Sequence, residues 1–358
     1  MPFPRLVQTI VAPLYQRSRR PTLGVVDRVT LRDVAQAAEV HVSTASRALN
    51  EATRAVVKPE TVKRVLEEAE KLGYRPDPIA RGLRTSQTLS IGIVIPDLEN
   101  PLFGPIVAGI EAGLAADGYS VLITASTSHR EDEAVRSLTD RHVDGLILAS
   151  ATLADPVVER LAKSGPPTVL VNRFTENVDI PAVIGDDQLG IRLAVDHLVE
   201  MGHTNIGHIA GPDQMSTGID RRRAFEGLMR DYGYRLLVEG ATGFQIEPGA
   251  TAAARLLERE PSITAIVAAN DLIGLGVYRA VRSAGRMVGS DIAVTGYNDV
   301  AMLDLVQPAM TAVHVAYRHM GAKAAEVLLA ILRDEDSPTT TLLEPTLAVR
   351  SSTQTTSG

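Results

Sequence analysis

The sequence predicts an α/β protein: a small all-α unit at the N-terminus, then a two-lobed domain of doubly wound parallel sheets. Three observations predict it. Residues 30–74 show short helical periods. From residue 88 onward, short apolar runs alternate with helix-length amphipathic stretches, the rhythm of parallel strands covered on both faces by helices. That second region is also too long for one comfortable core, so two similar lobes facing a cleft fit it better than one sheet.

Taken in order, residues 1–28 hold four prolines and the run Arg17-Ser18-Arg19-Arg20, and read as a disordered extension or a misassigned translation start. Val25, Val26 and Val29 offer alternative starts, and the basic run stands where a secretory signal would need small residues. Helices are expected over Leu31–Ala38, Val42–Leu49 and Pro59–Leu72. Val34, Ala35, Ala38, Val40, Ala45 and Leu49 would form the core of the first two, and Val62, Val65, Leu66, Ala69 and Leu72 one face of the third. Pro59 suits a first helical turn and Gly73 a left-handed stop. Asp77 followed by Pro78 encodes the start of a further short helix, too short to be stable without a partner. Strands are expected at Ile91–Ile95, Val121–Thr124, Gly145–Ala149, Thr168–Val171, Ile206–Ala210, Ala265–Ala268 and Ile292–Thr295. Ligands of such sheets sit beyond the carboxyl ends of the strands.

Charge separates the two parts. Residues 1–84 carry 15 Lys+Arg against 9 Asp+Glu, while the remainder carries 21 against 34. A basic end on an acidic body suits nucleic-acid contact confined to that end, because phosphates must be met where they lie. The absence of cysteine excludes disulfides, thiolate metal sites and cysteine nucleophiles, and suits a cytoplasmic protein. No apolar run approaches the roughly 18 to 20 residues of a membrane helix, the eight histidines show no metal-binding spacing, and neither metal nor cofactor is expected.

The stretch Thr30-Leu-Arg-Asp-Val-Ala-Gln-Ala-Ala-Glu-Val-His-Val-Ser-Thr-Ala-Ser-Arg-Ala-Leu-Asn50 resembles the helix-turn-helix headpiece of the LacI/GalR family of bacterial transcription regulators. Independently of that likeness, Ser43, Thr44, Ser46, Arg47 and Asn50 occupy the face of the second helix opposite its apolar residues. Such side chains reach phosphates and base edges, and Arg47 can give guanine a bidentate contact. The resemblance implies that Val42, Ser43 and Arg47 read bases and that Thr30, Ser46 and Asn50 meet phosphates. Two positions depart from the family pattern: Glu39 stands where glycine is usual in the turn, and His41 where serine is usual before the second helix. Residues Gly73–Thr85 resemble the family's hinge helix, which implies that Ala80, Leu83 and Arg84 enter a minor groove, Leu83 wedging into a base step.

The likeness continues through Pro96–Phe103, Val143-Asp-Gly145, Gly202-His203, Ala210-Gly-Pro212, Ala269–Gly276, Val294–Asp299 and Leu347–Thr353. It implies a periplasmic-binding-protein-like effector domain. The expected organisation is a headpiece over 29–75, a hinge and linker over 76–88, an effector domain over 89–353 and a tail over 354–358. Lobe 1 would take about 89–190 plus 315–336, and lobe 2 about 191–312 plus 338–353. The resemblance further implies that Arg221, Asp186 and Asn270 face the effector. Phe103 could stack on a ring. Asn298 stands where the family often has aspartate, which turns a double acceptor into a donor and acceptor. On the bland reading, Asn270 and Asp271 simply cap a helix.

These features predict a sequence-specific DNA-binding regulator, most readily a homodimeric repressor on a palindromic operator, controlled by a small polar effector such as a sugar. Its partners would be double-stranded DNA, the carbohydrate and a second copy of itself, with no membrane. A solute-binding protein without regulatory role is the alternative that the core alone would allow. An enzyme is disfavoured, since no nucleophile elbow or phosphate loop is found. Inducer or corepressor, and dimer or tetramer, stay open.

Overall fold

The computed structural model describes residues 29–75, 87–126 and 130–354. The expectations for residues 1–28, for Ala80, Leu83 and Arg84 in the hinge, and for 355–358 lie outside them. The chain divides into two compact units, Met1–Arg81 and Gly82–Gly358.

The first unit contains α1 (Leu31–Ala37), α2 (Val42–Leu49) and α3 (Pro59–Lys71), with a 3-10 segment at Glu51–Val56. Its core consists of small side chains: Val34, Ala35, Ala38, Ala45, Ala48, Val62, Val65 and Ala69. Alanines at the crossings let the helices approach closely, which is how so short a segment excludes water. Three core expectations are corrected. Leu66 and Leu72 are 37% and 38% exposed, because the buried stripe of α3 runs through Val62, Val65 and Ala69 and leaves both leucines at its margins. Ala48 is buried in full while its neighbour Leu49 is only partly covered. Gly73 ends α3 with φ at +65°, as a left-handed stop requires.

The second unit begins with β1 (Ser90–Ile95), α4 (Phe103–Ala115), β2 (Ser120–Ala125), α5 (Glu131–Thr139), β3 (Gly145–Leu148), α6 (Pro156–Ser164), β4 (Thr168–Val171) and β5 (Ala182–Gly185). The chain then crosses into a second lobe formed by α7 (Asp187–Glu200), β6 (Ile206–Ala210), α8 (Ser216–Tyr232), β7 (Leu237–Gly240), α9 (Ile246–Arg259), β8 (Ala265–Ala268), α10 (Asp271–Ser283), β9 (Ala293–Asn298) and β10 (Thr311–His314). It returns through α11 (Tyr317–Leu332) and β11 (Thr340–Leu343) to the first lobe, and ends with β12 (Thr346–Ala348) in the second.

The first sheet has the order β11-β5-β4-β3-β1-β2 and is parallel throughout. The second has the order β12-β10-β9-β8-β6-β7, parallel except for the antiparallel edge strand β12. Two boundaries therefore differ from expectation. Residues 340–343 lie in the first lobe, because β11 pairs with β5, and the helix from Asp187 packs on the second lobe, which moves that boundary from 190 to 186. β2 was expected as a fully buried strand. It is an edge strand, and Ile123 is 46% exposed.

In each lobe the covering helices meet through reciprocal glycines. A Cβ added to Gly109 on α4 would lie 2.0 Å from the Arg318 carbonyl oxygen of α11, and one on Gly321 would lie 2.0 Å from that of Ile106. The second lobe repeats the device: a Cβ on Gly249 of α9 would meet the Ile273 Cα at 2.7 Å, and one on Gly276 of α10 the Ile246 carbonyl oxygen at 2.4 Å. These contacts draw each helix pair backbone to backbone.

Candidate functional site

Two surfaces carry the expected chemistry, one on each unit. On the first, Thr30 opens α1 with a reciprocal cap: the Asp33 backbone N–H donates to Thr30 Oγ1 at 3.4 Å, and the Thr30 N–H donates to Asp33 Oδ2 at 2.7 Å. The Thr30 N–H, together with the Thr30 hydroxyl, which donates to the same Oδ2 at 2.7 Å, holds the Asp33 carboxyl below its usual range, because both bonds stabilise its charged form. Arg64 of α3 donates through Nε to the Ala38 carbonyl oxygen at 2.9 Å, sealing the other end of α1. In the turn Glu39 takes φ of 50°, the conformation glycine would adopt without strain.

His41 caps α2 in place of serine. Its Nδ1 accepts from the Ser43 backbone N–H at 3.3 Å and lies 2.8 Å from Ser43 Oγ. Arg54 Nε donates to the Ala48 carbonyl oxygen at 3.1 Å, and Thr53 Oγ1 to that of Arg47 at 3.2 Å, so side chains from the next segment meet the last carbonyls of α2. The helix is thus fixed at both ends. Ser43 and Arg47 are exposed, Val42, Ser46 and Asn50 are half-buried, and the helical period places these five together on one face. Thr44 falls on the flank toward buried Ala48, and Thr30 stands exposed at the start of α1.

On the second unit a cavity of about 600 Å³ opens between the lobes, lined among others by Phe103, Arg221, Asn270 and Asn298. Arg221, 3% exposed, is fixed on three sides. Nε donates to Asp187 Oδ1 at 2.9 Å, Nη1 donates to the Ala269 carbonyl oxygen at 2.7 Å, and Cζ lies 3.6 Å from the centre of the Tyr297 ring. Burial acts to lower its pKa, but the Asp187 charge, the Tyr297 and Tyr317 phenols and the hydrogen bond to Asp187 together outweigh burial and hold the guanidinium protonated. Burial also pushes the Tyr297 and Tyr317 phenols well above their ordinary value.

Asn270 caps α10, accepting through Oδ1 from the Ile273 N–H at 2.8 Å, and it donates through Nδ2 to the Phe244 carbonyl oxygen at 3.1 Å. The capping role and a place on the cavity wall therefore coexist. Asn298 takes φ of 113° at the end of β9, and its Oδ1 accepts from the Tyr317 hydroxyl at 2.7 Å. Its amide nitrogen thus carries the donors it has to offer. Phe103 lines the cavity from the first turn of α4, but only 3% of it is exposed. Asp186 is not among the lining residues: it caps α7 by accepting from the Leu189 N–H at 2.9 Å, and the next residue, Asp187, is the one that reaches Arg221.

Sequence reasoning missed much of the lining, including Ser126, Glu131, Ser150, Asn172, Arg173 and Phe244. Four of these follow a rule that was available. Ser126 comes directly after β2, Ser150 after β3, and Asn172 and Arg173 after β4, so the first polar residues past each apolar strand mark the wall. Glu131 is pushed up to about 7 by burial, with Asp155 nearby adding to the shift. Phe244 is half-buried and supplies an aromatic wall on the second lobe. The lobes also touch beside the cavity, where the Leu153 N–H donates to the Gln214 carbonyl oxygen at 3.0 Å and the Phe174 N–H to Ser216 Oγ at 3.2 Å. Convergent donors and acceptors with an aromatic wall are the equipment for holding a polyhydroxylated molecule.

Comparison with known proteins gives two family matches: residues 30–77 match bacterial regulatory proteins of the lacI family, and residues 195–353 match the periplasmic binding protein-like domain. The chain is 33% identical to the HTH-type transcriptional regulator CelR of Thermobifida fusca, over 94% of this chain and 99% of that one. Among solved structures it is similar to the lac repressor dimer bound to operator and the anti-inducer ONPF, with a TM-score of 0.83 and 28% identity over 91% of this chain and 99% of that one. It is also similar to a complex of the transcriptional regulator CelR with cellobiose, with a TM-score of 0.69 and 30% identity over 91% and 100% of the respective chains.

Proposed function

The chain belongs to the lacI family of bacterial regulatory proteins, and on that premise we propose that it is a homodimeric repressor whose affinity for a palindromic operator is set by a small carbohydrate held between the lobes. It is a DNA-binding transcription regulator and not an enzyme. The observation that carries the proposal is the cleft: a buried Arg221 fixed on three sides, in a chain whose other unit exposes Ser43 and Arg47 on a helix capped at both ends.

In this reading α2 lies in a major groove. Val42, Ser43 and Arg47 read base edges, with Thr44 beside them, and Thr30, Ser46 and Asn50 meet phosphates. Ala80, Leu83 and Arg84 contact the minor groove, with Leu83 as the wedge. Phe103, Arg221, Asn270 and Asn298 hold the sugar, and Asp186 supports the wall indirectly by capping the helix that carries Asp187. Sugar binding changes operator affinity only by favouring one arrangement of the lobes over the other, so its sign follows whichever arrangement it binds more tightly. A regulator acting on a chromosomal operator in a bacterium would work in the cytoplasm.

The test is fluorescence anisotropy of the full chain against labelled DNA from upstream of its own gene, with a scrambled duplex as control, across a salt series. Preference for the native fragment by roughly a thousandfold or more is expected. Arg47→Ala is expected to remove about 1–3 kcal/mol of that preference. Equal, steeply salt-dependent binding to both duplexes would reduce the headpiece to a non-specific polycation.

A further inference from the structure

The first-lobe wall of the cleft carries charged side chains that the reading above leaves unused. Arg173 lines the cavity and is only 6% exposed. Its Nη1 donates to the Ser150 carbonyl oxygen at 3.1 Å, whereas Nε has no hydrogen-bond partner. Glu131, the first residue of α5, also lines the cavity and accepts from the Ser150 hydroxyl. The one serine thus ties the two charged groups together, through its carbonyl and its hydroxyl. A guanidinium N–H buried without an acceptor is costly, a cost that a bound water or ligand group would relieve.

We infer that Arg173 and Glu131 form a second effector anchor, on the first lobe and across the cleft from Arg221, which grips adjacent hydroxyls of an uncharged sugar. The inference rests on the cleft being the effector site. A hydroxyl both accepts and donates, so one of a vicinal pair can accept from the guanidinium fork while its neighbour donates to the carboxylate. An anionic ligand fits less well. The Glu131 carboxyl is the acidic group that acts on Arg173, and the charge of Arg221 is met by Asp187. Each guanidinium thus already has a carboxyl partner, which leaves less positive charge for a phosphate or an acid. Burial acts on both members of the anchor, raising Glu131 to about 7 and lowering Arg173 to about 10, so each charge lacks solvation that ligand hydroxyls would supply. A sugar bound to Arg221 and to this anchor bridges the lobes.

The experiment is isothermal titration of the full-length protein and its variants with glucose, ribose, maltose, cellobiose, glucose 6-phosphate and gluconate. At least one neutral sugar should bind the unaltered protein, and neither anionic compound should bind more tightly than it. Glu131→Gln and Arg173→Gln should each weaken the neutral sugar by about tenfold or more, with the far-ultraviolet circular dichroism of the ligand-free protein retained. Arg173→Lys should weaken it nearly as much, since lysine keeps the charge but lacks the fork. Restored binding in Arg173→Lys would overturn the diol reading, as would tighter binding of glucose 6-phosphate or gluconate. Binding lost on Arg221→Gln but kept within twofold in the Glu131 and Arg173 variants would overturn this anchor and leave the cleft as the effector site. No binding of any neutral sugar would overturn both.

Discussion

Glu39 occupies the turn between α1 and α2 with φ of 50°, where an L-residue strains against its own Cβ and glycine does not. Glu39→Gly is therefore expected to stabilise the headpiece by about 0.5–1 kcal/mol, the relief of strain being partly offset by the freer unfolded chain. Thermal unfolding followed by circular dichroism should show a raised headpiece midpoint, and a lowered one would mean that the glutamate side chain contributes more than its backbone costs. Site residues were legible where they belonged to a run. Arg221, Asn270 and Asn298 stand in recognisable stretches and all reach the cavity. Asp186 and Asp187 could not be separated by sequence: the first becomes the helix cap and the second, already inside the helix, turns to Arg221. Glu131 and Arg173 stand far apart in the chain, on different elements, and only the return of the sheet brings them to one serine.

At the scale of elements, the fully apolar strands were readable because burial on both faces leaves no polar position to blur them. The strands that escaped notice are β5, β7, β10, β11 and β12, of which β7, β11 and β12 lie at sheet edges. β7 reads Leu-Val-Glu-Gly and β11 Thr-Thr-Leu-Leu, so neither an apolar run nor a strict alternation of residue types marks them. Helix pairing was equally hidden, since glycines at Gly109, Gly321, Gly249 and Gly276 break helical propensity rather than announce contact. Their role yields a sharp expectation. Gly321→Ala places a methyl 2.0 Å from the Ile106 carbonyl oxygen and must push α4 and α11 apart. It should cost about 1–3 kcal/mol despite alanine's better helix propensity. Urea denaturation would register this as a lower midpoint. An unchanged or raised midpoint would show that the two helices can separate without loss.

At the scale of the whole molecule, the chain comprises two compact units with separate cores. Heating should therefore resolve two transitions, and a cleft-binding sugar should raise only that of the effector domain, by an amount that grows with sugar concentration. Scanning calorimetry with and without the sugar checks this, and a shift of both transitions together would mean that the units melt as one. The two lobes, by contrast, are not separable. The chain passes between them three times, and β11 and β12, only three residues apart, complete the edges of different sheets. For a chain growing from the ribosome this order has a cost. The headpiece emerges first with all of its core in hand, whereas neither half of the sensor is whole until residues 340–348 have been made. A message broken just before residue 340 would therefore yield a chain with the headpiece core complete and each sheet of the sensor lacking one edge strand.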